Sequence, residues 1–235
     1  MIRINRLKKN YENKKIFSDF NMNIEPCNIT CILGPSGVGK TTLFNVISGL
    51  TDYEDGEIIG IDKKNISYLF QEPRLMPWLT VYGNIDIILK NIFPDKKRKD
   101  VINYYLDMVG LKDYTDKKPE ELSGGMKQRL AIARTFAYPS TLLLMDEPFQ
   151  GLDIKLKNNI IESFLKLWSE DNRTVLFITH DIDEALRVSD QIYIIQDNPV
   201  KISQVEHIID DKLDRDIYND DYSKIRKRIT KVLTS

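Results

Sequence analysis

The sequence predicts an α/β protein with a parallel sheet, and three features of its 235 residues support this fold class. An apolar run at 29–33 is followed by a glycine-rich segment and then by a helical pattern. After about residue 140, short apolar runs alternate with helical segments, as in parallel sheets covered by helices. Between these parts, the stretch of about 75–137 has helical spacing and predicts an inserted helical subdomain.

The individual elements follow from hydrophobic periodicity and from the turn residues at their ends. Strands are predicted at Ile29–Leu33, Glu57–Ile61, Ile66–Phe70, Leu142–Met145, Val175–Thr179 and Gln191–Ile195. Helices are predicted at Lys40–Ser48, from Ser123 to about Ala137, at Asp153–Trp168 and at Ile182–Val188. The segment Trp78–Val109 has helical spacing that is broken by Pro94 and by a basic turn, Lys96–Lys99. These elements fit one domain spanning residues 1–235.

Composition argues against several classes of protein. Hydrophobic residues make up 42% of the chain and charged residues 29%, as expected for an ordinary globular core. The formal net charge of −1 provides no basic field, so we expect no nucleic-acid partner. The most apolar run, Thr141–Met145, is far shorter than the about 20 residues that a membrane-spanning helix needs. A role at a membrane would therefore require a partner protein.

The two cysteines, Cys27 and Cys31, lie in or next to an apolar run. Their spacing could in principle serve a metal, but no second pair and no nearby histidine completes such a site. We therefore predict that both are small core residues, in a chain that works in a reducing compartment. The basic N-terminus, residues 1–10, is not followed by an apolar stretch and is not predicted to be a secretory signal.

A phosphate-binding motif follows the first core strand, because Gly34–Thr41 fits the pattern G-x-x-x-x-G-K-[ST]. Glycines let successive backbone N–H groups point at phosphate oxygens, and the helix that follows presents its positive end to the same anion. Lys40 can reach the β and γ phosphates, and the Thr41 hydroxyl can ligate Mg²⁺. The alternative is a glycine-rich turn that matches by chance. The predicted nucleotide-binding residues are Gly34, Pro35, Ser36, Gly37, Val38, Gly39, Lys40, Thr41 and Thr42.

Two acidic residues end the apolar strand at Leu142–Met145. Ligands of open α/β sheets bind at the carboxyl ends of the strands, which is where Asp146 and Glu147 would lie. Asp146 is predicted to hold Mg²⁺ through a bound water, and Glu147 to act as general base on the attacking water. A strand followed by a solvated acidic turn is the alternative.

A second helix start that can bind an anion comes at Ser123, Gly124 and Gly125. The serine can cap the helix or donate its hydroxyl to a phosphate. Taken alone, a simple helix cap is the more common explanation. One nucleotide rarely needs two such helix starts from one chain, so the pair suggests a site to which two chains each contribute one half.

The segment Leu122–Arg129, with the sequence LSGGMKQR, resembles the signature motif of ABC ATPases. That resemblance implies a P-loop NTPase (RecA-like) core with a small N-terminal antiparallel β subdomain and an inserted helical subdomain. Four further positions match motifs of the family in order. Tyr11 matches an early aromatic that stacks on adenine, and Gln71 matches a glutamine that senses Mg²⁺ and the attacking water. Asp153 matches the D-loop aspartate, and His180 matches the switch histidine.

The family's mechanism implies a head-to-tail dimer, either of two copies of this chain or of this chain with a paralogue. Each ATP would lie between the phosphate loop of one chain and the signature segment of the other. His180 would contact the γ-phosphate, and Asp153 would couple the two sites. Tyr11 has the alternative role of simple packing. The turn at Glu25–Asn28 lacks the usual glycine-glutamate of the family, and Thr41 replaces the commoner serine.

The segment Arg74–Ile85 resembles a pattern found in importer ATPases for nitrate, sulfonates and taurine. In that family Pro77 and Trp78 would contact a transmembrane permease, although Trp78 could instead be a core residue. The tail at about 202–235 is similar to the short C-terminal end of the same subfamily. The resemblance implies a peripheral protein at the cytoplasmic face of the membrane, which serves a solute-binding protein through the permease. An exporter ATPase and a soluble, non-transport ABC ATPase are the alternatives.

Overall fold

The computed structural model of the chain describes residues 1–12 and 14–234. Its strands are β1 (Ile2–Tyr11), β2 (Lys14–Ile24), β3 (Ile29–Leu33), β4 (Asp55–Ile59), β5 (Ile66–Leu69), β6 (Leu142–Asp146), β7 (Thr174–Thr179), β8 (Gln191–Gln196) and β9 (Lys201–His207). Its α-helices are α1 (Lys40–Ile47), α2 (Val81–Leu89), α3 (Asp95–Met108), α4 (Gly124–Ala137), α5 (Ile154–Asp171), α6 (Ile182–Val188) and α7 (Asp220–Thr234).

The larger sheet has six strands in the order β5-β6-β7-β3-β8-β9. The first five are parallel, and β9 pairs antiparallel with β8 at the edge. Every residue of β3, β6 and β7 is buried, because both faces of the large sheet are covered by other elements. Leu33 pairs with Thr179, and Asp146 pairs with Ile178. The carboxyl ends of these three strands therefore meet at one edge of the sheet.

A three-stranded antiparallel sheet, with the order β2-β1-β4, lies against the other face. Its apolar side packs on α1 and on one face of the large sheet, through a core that includes Phe17, Phe44 and Ile195. A second core joins the opposite face of the large sheet to α5 and to the helices α2, α3 and α4. Helices α2–α4 lie within the stretch that the sequence predicts to be a helical insertion.

Two local expectations are wrong, and one strand was not predicted. Lys96–Lys99 do not form a turn but lie in the first turns of α3, which begins directly after Pro94. Proline is well tolerated at a helix start, where its missing N–H would have no intrahelical partner. Cys27 is exposed in a turn with φ of 58°, and only Cys31 is buried. Strand β9 has no counterpart among the predicted elements, because only one of its residues is buried and no continuous apolar run marks it.

The C-terminal helix, α7, begins at Asp220. The side chain of Asn219 accepts hydrogen bonds from the backbone N–H groups of Asp221 and Tyr222, which is the geometry of a helix cap. Within the described residues, none of the helices is both long enough and apolar enough to cross a membrane.

Candidate functional site

The glycine-rich segment after β3 forms a tight loop, and at two of its positions only glycine fits. A Cβ built at Gly34 would lie 2.6 Å from the backbone oxygen of Ile195 on the neighbouring strand. Gly39 has a φ of 126°, and a Cβ there would lie 2.9 Å from Ile16. The loop therefore packs directly on the two sheets and delivers the chain into α1 at Lys40.

Lys40 is the first residue of α1, and only 5% of it is exposed. Its Nζ donates hydrogen bonds to the backbone oxygens of Gly34 at 2.7 Å and Pro35 at 3.0 Å. Burial lowers the pKa of Lys40, while the nearby carboxylates of Glu147 and Asp146 oppose that shift. The ammonium group thus lies under the loop, next to the space that the loop encloses.

This space is a cavity of about 320 Å³ at the carboxyl edge of the sheet. Six of its lining residues are predicted nucleotide-binding residues, and three lie in the segments that follow β5 and β6. The lining residues are Ser36, Gly37, Gly39, Lys40, Thr41, Thr42, Gln71, Glu147 and Gln150. Positively charged and backbone N–H groups at the start of a helix make this cavity suitable for a polyphosphate.

Asp146 is the last residue of β6 and only 4% of it is exposed. Burial raises the pKa of its carboxyl group, and hydrogen bonds from the side chains of Thr41 and Tyr68 counteract the shift. A carboxylate next to a threonine hydroxyl offers oxygen ligands of the kind that Mg²⁺ prefers. The donor set present here therefore fits a magnesium ion.

Glu147 and His180 follow adjacent strands and approach each other. Glu147 has a φ of 45°, and its backbone N–H donates to the oxygen of Ile178 on β7 at 3.0 Å. His180 Nδ1 lies 3.2 Å from Glu147 Oε2, close enough for an ion pair when the imidazole is protonated. Among the described residues, no group makes a hydrogen bond of good geometry to that buried oxygen. Glu147 thus keeps an acceptor available, while the His180 side chain is 48% exposed.

Gln71 follows β5 and lies at the same edge of the sheet. Its Nε2 donates a hydrogen bond of 2.6 Å to Oε1 of Gln150, which belongs to the segment after β6. No sequence motif pointed to Gln150. The only signal available was its place, three residues after Glu147 and directly before the Gly151–Asp153 segment.

The remaining predicted site residues do not line this cavity in the part of the chain that the structure describes. Ser123 caps α4 by accepting a hydrogen bond from the Met126 backbone N–H at 3.3 Å. Asp153 caps α5 in the same way, with Leu156 as the donor at 3.0 Å. Tyr11 ends β1, is 44% exposed, and carries the Lys9 ammonium 4.8 Å from the centre of its ring. One chain alone therefore brings together only half of the predicted site.

Comparison with known proteins places this geometry in a family. The family described as ABC transporter matches residues 17–150. The aliphatic sulfonates import ATP-binding protein SsuB of Bacillus cereus is 39% identical over 225 residues, which cover 92% of this chain and 87% of the relative. An uncharacterized ABC transporter ATP-binding protein of Methanocaldococcus jannaschii is 36% identical over 228 residues, covering 93% of this chain and 84% of that protein.

A solved structure agrees with these relatives. The ATP-binding cassette MJ0796, in a dimeric post-hydrolysis state bound to ADP and Pi, has a TM-score of 0.77 and 28% sequence identity. The match covers 88% of this chain and 98% of that chain. The predicted α/β fold class and the resemblance to sulfonate-type importer ATPases are both confirmed. The chain therefore belongs to the ATP-binding proteins of ABC transporters and is an ATPase.

Proposed function

We propose that this chain is the ATP-hydrolysing subunit of an ABC importer, working at the cytoplasmic face of a membrane on a separate permease. The observation that carries the proposal is the meeting of four strand ends at one edge of the sheet. The phosphate loop follows β3, Gln71 follows β5, the acidic pair ends β6, and His180 follows β7. Such an edge is where open α/β sheets bind and process their ligands.

The phosphate loop would hold the β and γ phosphates of ATP, with Lys40 as the charged contact and the Gly37–Thr42 backbone as donors. Thr41, Asp146 and Gln71 would provide the oxygen ligands for Mg²⁺. When bound, Mg²⁺ neutralises charge that develops on the transferred phosphoryl group. The buried position of Asp146 keeps this carboxylate fixed relative to Thr41.

Glu147 would accept a proton from the water that attacks the γ-phosphate. Its position supports this role, since it lines the cavity and has an oxygen that keeps a free acceptor site. His180, 3.2 Å from that carboxylate, would hold the γ-phosphate and help to orient Glu147. Hydrolysis would then depend on both side chains and on the exclusion of bulk water from the cavity.

A second chain would complete the site. The open helix start at Ser123, Gly124 and Gly125 would contact the ATP held by the partner, and Asp153 would link the two sites. Tyr11 would stack on adenine with the face of its ring that Lys9 does not cover. We propose a homodimer, by analogy with the dimeric MJ0796 cassette.

The proposed permease contact is a groove of about 410 Å³ next to the helical insertion. Its surface is largely apolar and runs from the end of β5 to helix α4, with Phe70, Arg74, Met76, Ile88 and Tyr138 among its lining residues. Trp78 is 68% exposed, so the alternative that it is a core residue is wrong. An exposed tryptophan and an apolar groove suit the docking of a helix from a membrane protein.

The SsuB relative and the Arg74–Ile85 pattern favour a small solute of the nitrate, sulfonate or taurine type, delivered by a solute-binding protein. The test is purification of the protein from its native membranes in mild detergent, with identification of its partners by mass spectrometry. Recovery of a multi-span permease with a solute-binding protein is expected. Recovery of ribosomal or DNA-associated proteins alone would refute the importer proposal and leave the ATPase assignment intact.

A further inference from the structure

The side chain of Gln150 faces Gln71 across the phosphate cavity, and both residues line it. The two amides share one hydrogen bond, in which Gln71 Nε2 donates to Gln150 Oε1 at 2.6 Å. Gln71 belongs to the segment that joins β5 to α2, whereas Gln150 belongs to the turn after β6. The contact therefore joins two segments that are 79 residues apart in sequence.

The direction of this hydrogen bond matters because the two ends of an amide differ chemically. The nitrogen donates hydrogen bonds, and only the oxygen can ligate a magnesium ion. Gln150 occupies the nitrogen of Gln71. No hydrogen bond from the described residues reaches Gln71 Oε1, so this oxygen is left for another ligand.

Gln150 is held on a rigid support. Its backbone N–H donates to the oxygen of Glu147 at 3.2 Å, which closes the turn after β6. Inside that turn, the Pro148 oxygen accepts a 2.6 Å hydrogen bond from the buried side chain of Gln128 on α4. Phe149 is buried in the core. The turn thus fixes the backbone position from which the Gln150 side chain reaches Gln71.

The segment of Gln71 has a different attachment. Its backbone oxygens at Pro73 and Arg74 accept hydrogen bonds from Arg134 of α4, at 2.7 and 3.0 Å. These contacts hold the loop but leave the rotation of the Gln71 amide free. Among the described residues, Gln150 makes the only hydrogen bond to the Gln71 amide, and this bond occupies the amide nitrogen.

We propose that Gln150 is a positioning residue for Gln71, which orients the amide so that its oxygen is free for the metal ion. The inference rests on the proposed function, in which Gln71 is a metal ligand. A flipped amide would present a donor to a cation and would weaken metal binding.

The test replaces Gln150 with methionine, which keeps the length of the side chain and removes the acceptor. Mn²⁺ binding to the full chain with AMP-PNP is measured by electron paramagnetic resonance, since Mn²⁺ takes oxygen ligands of the same kind. We expect Gln150→Met to weaken Mn²⁺ binding about threefold to tenfold, the range for loss of one net hydrogen bond. The affinity of Gln150→Met for AMP-PNP, measured in EDTA, is expected to stay unchanged. Gln204→Met, a control remote from the cavity, is expected to bind Mn²⁺ like the wild type.

A double-mutant cycle with Gln71→Ala separates the possible explanations. If Gln150 acts through Gln71, then Gln150→Met has no further effect on Mn²⁺ binding in the Gln71→Ala chain. Gln150→Glu, which retains an accepting oxygen, is expected to bind Mn²⁺ at least as tightly as the wild type. Two results would overturn this inference but leave the metal role of Gln71 intact. One is that Gln150→Met weakens Mn²⁺ binding equally in the wild-type and Gln71→Ala chains. The other is that Gln150→Met leaves Mn²⁺ binding unchanged while Gln71→Ala weakens it. Unchanged Mn²⁺ binding by Gln71→Ala would instead refute the proposed metal role of Gln71.

Discussion

The starts of helices α1 and α4 offer the same physical feature in two different settings. At α1, the loop from Gly34 to Gly39 curls over Lys40 and encloses a cavity. At α4, Ser123 caps the helix, and a Cβ built at Gly124 would have no described atom within 4 Å apart from its chain neighbours and the helix's own backbone. Both helix ends carry a partial positive charge. Only the first one has walls that could hold a phosphate without help from another molecule.

This difference supports the proposal that one chain holds half a site. A bare helix end contributes a modest attraction to an anion, which falls off within the first turn. It becomes a useful contact when another surface has already fixed the anion in place. The α4 start therefore suits a phosphate that a second chain brings to it.

Among the effects on nucleotide binding, that of Lys40→Ala should be the largest. Lys40 provides both the charge next to the phosphates and the hydrogen bonds to Gly34 and Pro35 that shape the loop. Loss of these charge-assisted contacts should weaken ATP affinity by about two orders of magnitude, as measured by calorimetry. The exposed Lys201→Ala serves as control. Unchanged ATP affinity in Lys40→Ala would show that the loop at the start of α1 does not bind the phosphates.

Glu147→Gln should separate ATP binding from ATP hydrolysis at the site next to the start of α1. The amide keeps the size of the carboxyl group but cannot act as general base, so hydrolysis should slow by about 10²–10⁴-fold. ATP affinity should be retained, and the dimer with ATP should persist. Steady-state phosphate release is the measurement, with the exposed Glu162→Gln as control. Wild-type turnover in Glu147→Gln would contradict the role proposed for this residue.

The paired variants Gly125→Ala and Gly124→Ala probe the α4 setting. A Cβ at Gly125 would lie 2.2 Å from Leu156 Cδ2, so this variant should lower the free energy of unfolding by about 1–2 kcal/mol. A Cβ at Gly124 meets open space, and alanine there should leave folding stability equal or up to about 1 kcal/mol higher.

Chemical denaturation of both variants measures these differences. Gly124→Ala should nevertheless weaken the ATP-dependent dimer, because the new methyl group would stand between the helix start and the partner's phosphate. Equal stabilities of the two variants would contradict the packing described at Gly125.

The smallest effect concerns a region remote from both helix starts. Arg228 of α7 donates to both carboxylate oxygens of Glu206 on β9, at 3.0 and 2.8 Å. The Arg228 guanidinium holds the pKa of Glu206 below its usual value of 4.5. The pair should therefore stabilise the fold fully above pH 4.5, and this contribution should be lost as the pH falls through the lower, folded-state pKa.

Arg228→Gln should lower the free energy of unfolding at neutral pH by about 1 kcal/mol or less, since the pair is partly exposed. The difference from the wild type should shrink in acid, while the neighbouring Lys227→Gln should show no such pH dependence. A difference that stays constant with pH would contradict the ion pair as its cause. ATP binding should be unaffected by either variant.

The sequence predicted those parts of the site that lie next to buried strands. Leu142–Met145 had to be a core strand, so Asp146 had to emerge at the carboxyl edge, and the same logic placed His180 after β7. The phosphate loop was recognisable because few segments combine its glycines with a lysine at a helix start.

Features set by tertiary contacts were not predictable in this way. Gln150 lies in no motif, and its meeting with Gln71 depends on the turn that Gln128 holds from α4. The basic residues 96–99 resembled a turn, but the salt bridges of Arg98 to Asp86 and Asp95 help to keep them helical. Cys27 adjoins an apolar run but is placed in an exposed turn by a positive φ. Each of these outcomes depends on neighbours that are distant in sequence or on backbone geometry that composition does not specify.

The central claim is that the α4 start of one chain completes the site of another, and Ser123→Asp tests it most directly. Aspartate caps helices as well as serine does, so α4 should stay folded, but its charge would repel the partner's phosphate. Both chains carry Glu147→Gln and are measured with ATP and Mg²⁺ by size-exclusion chromatography with light scattering. The chain that keeps Ser123 should form dimers, and the chain with Ser123→Asp should remain monomeric. ATP affinity of the monomer should be the same for both chains. Dimers of equal stability in the two chains would contradict the shared site.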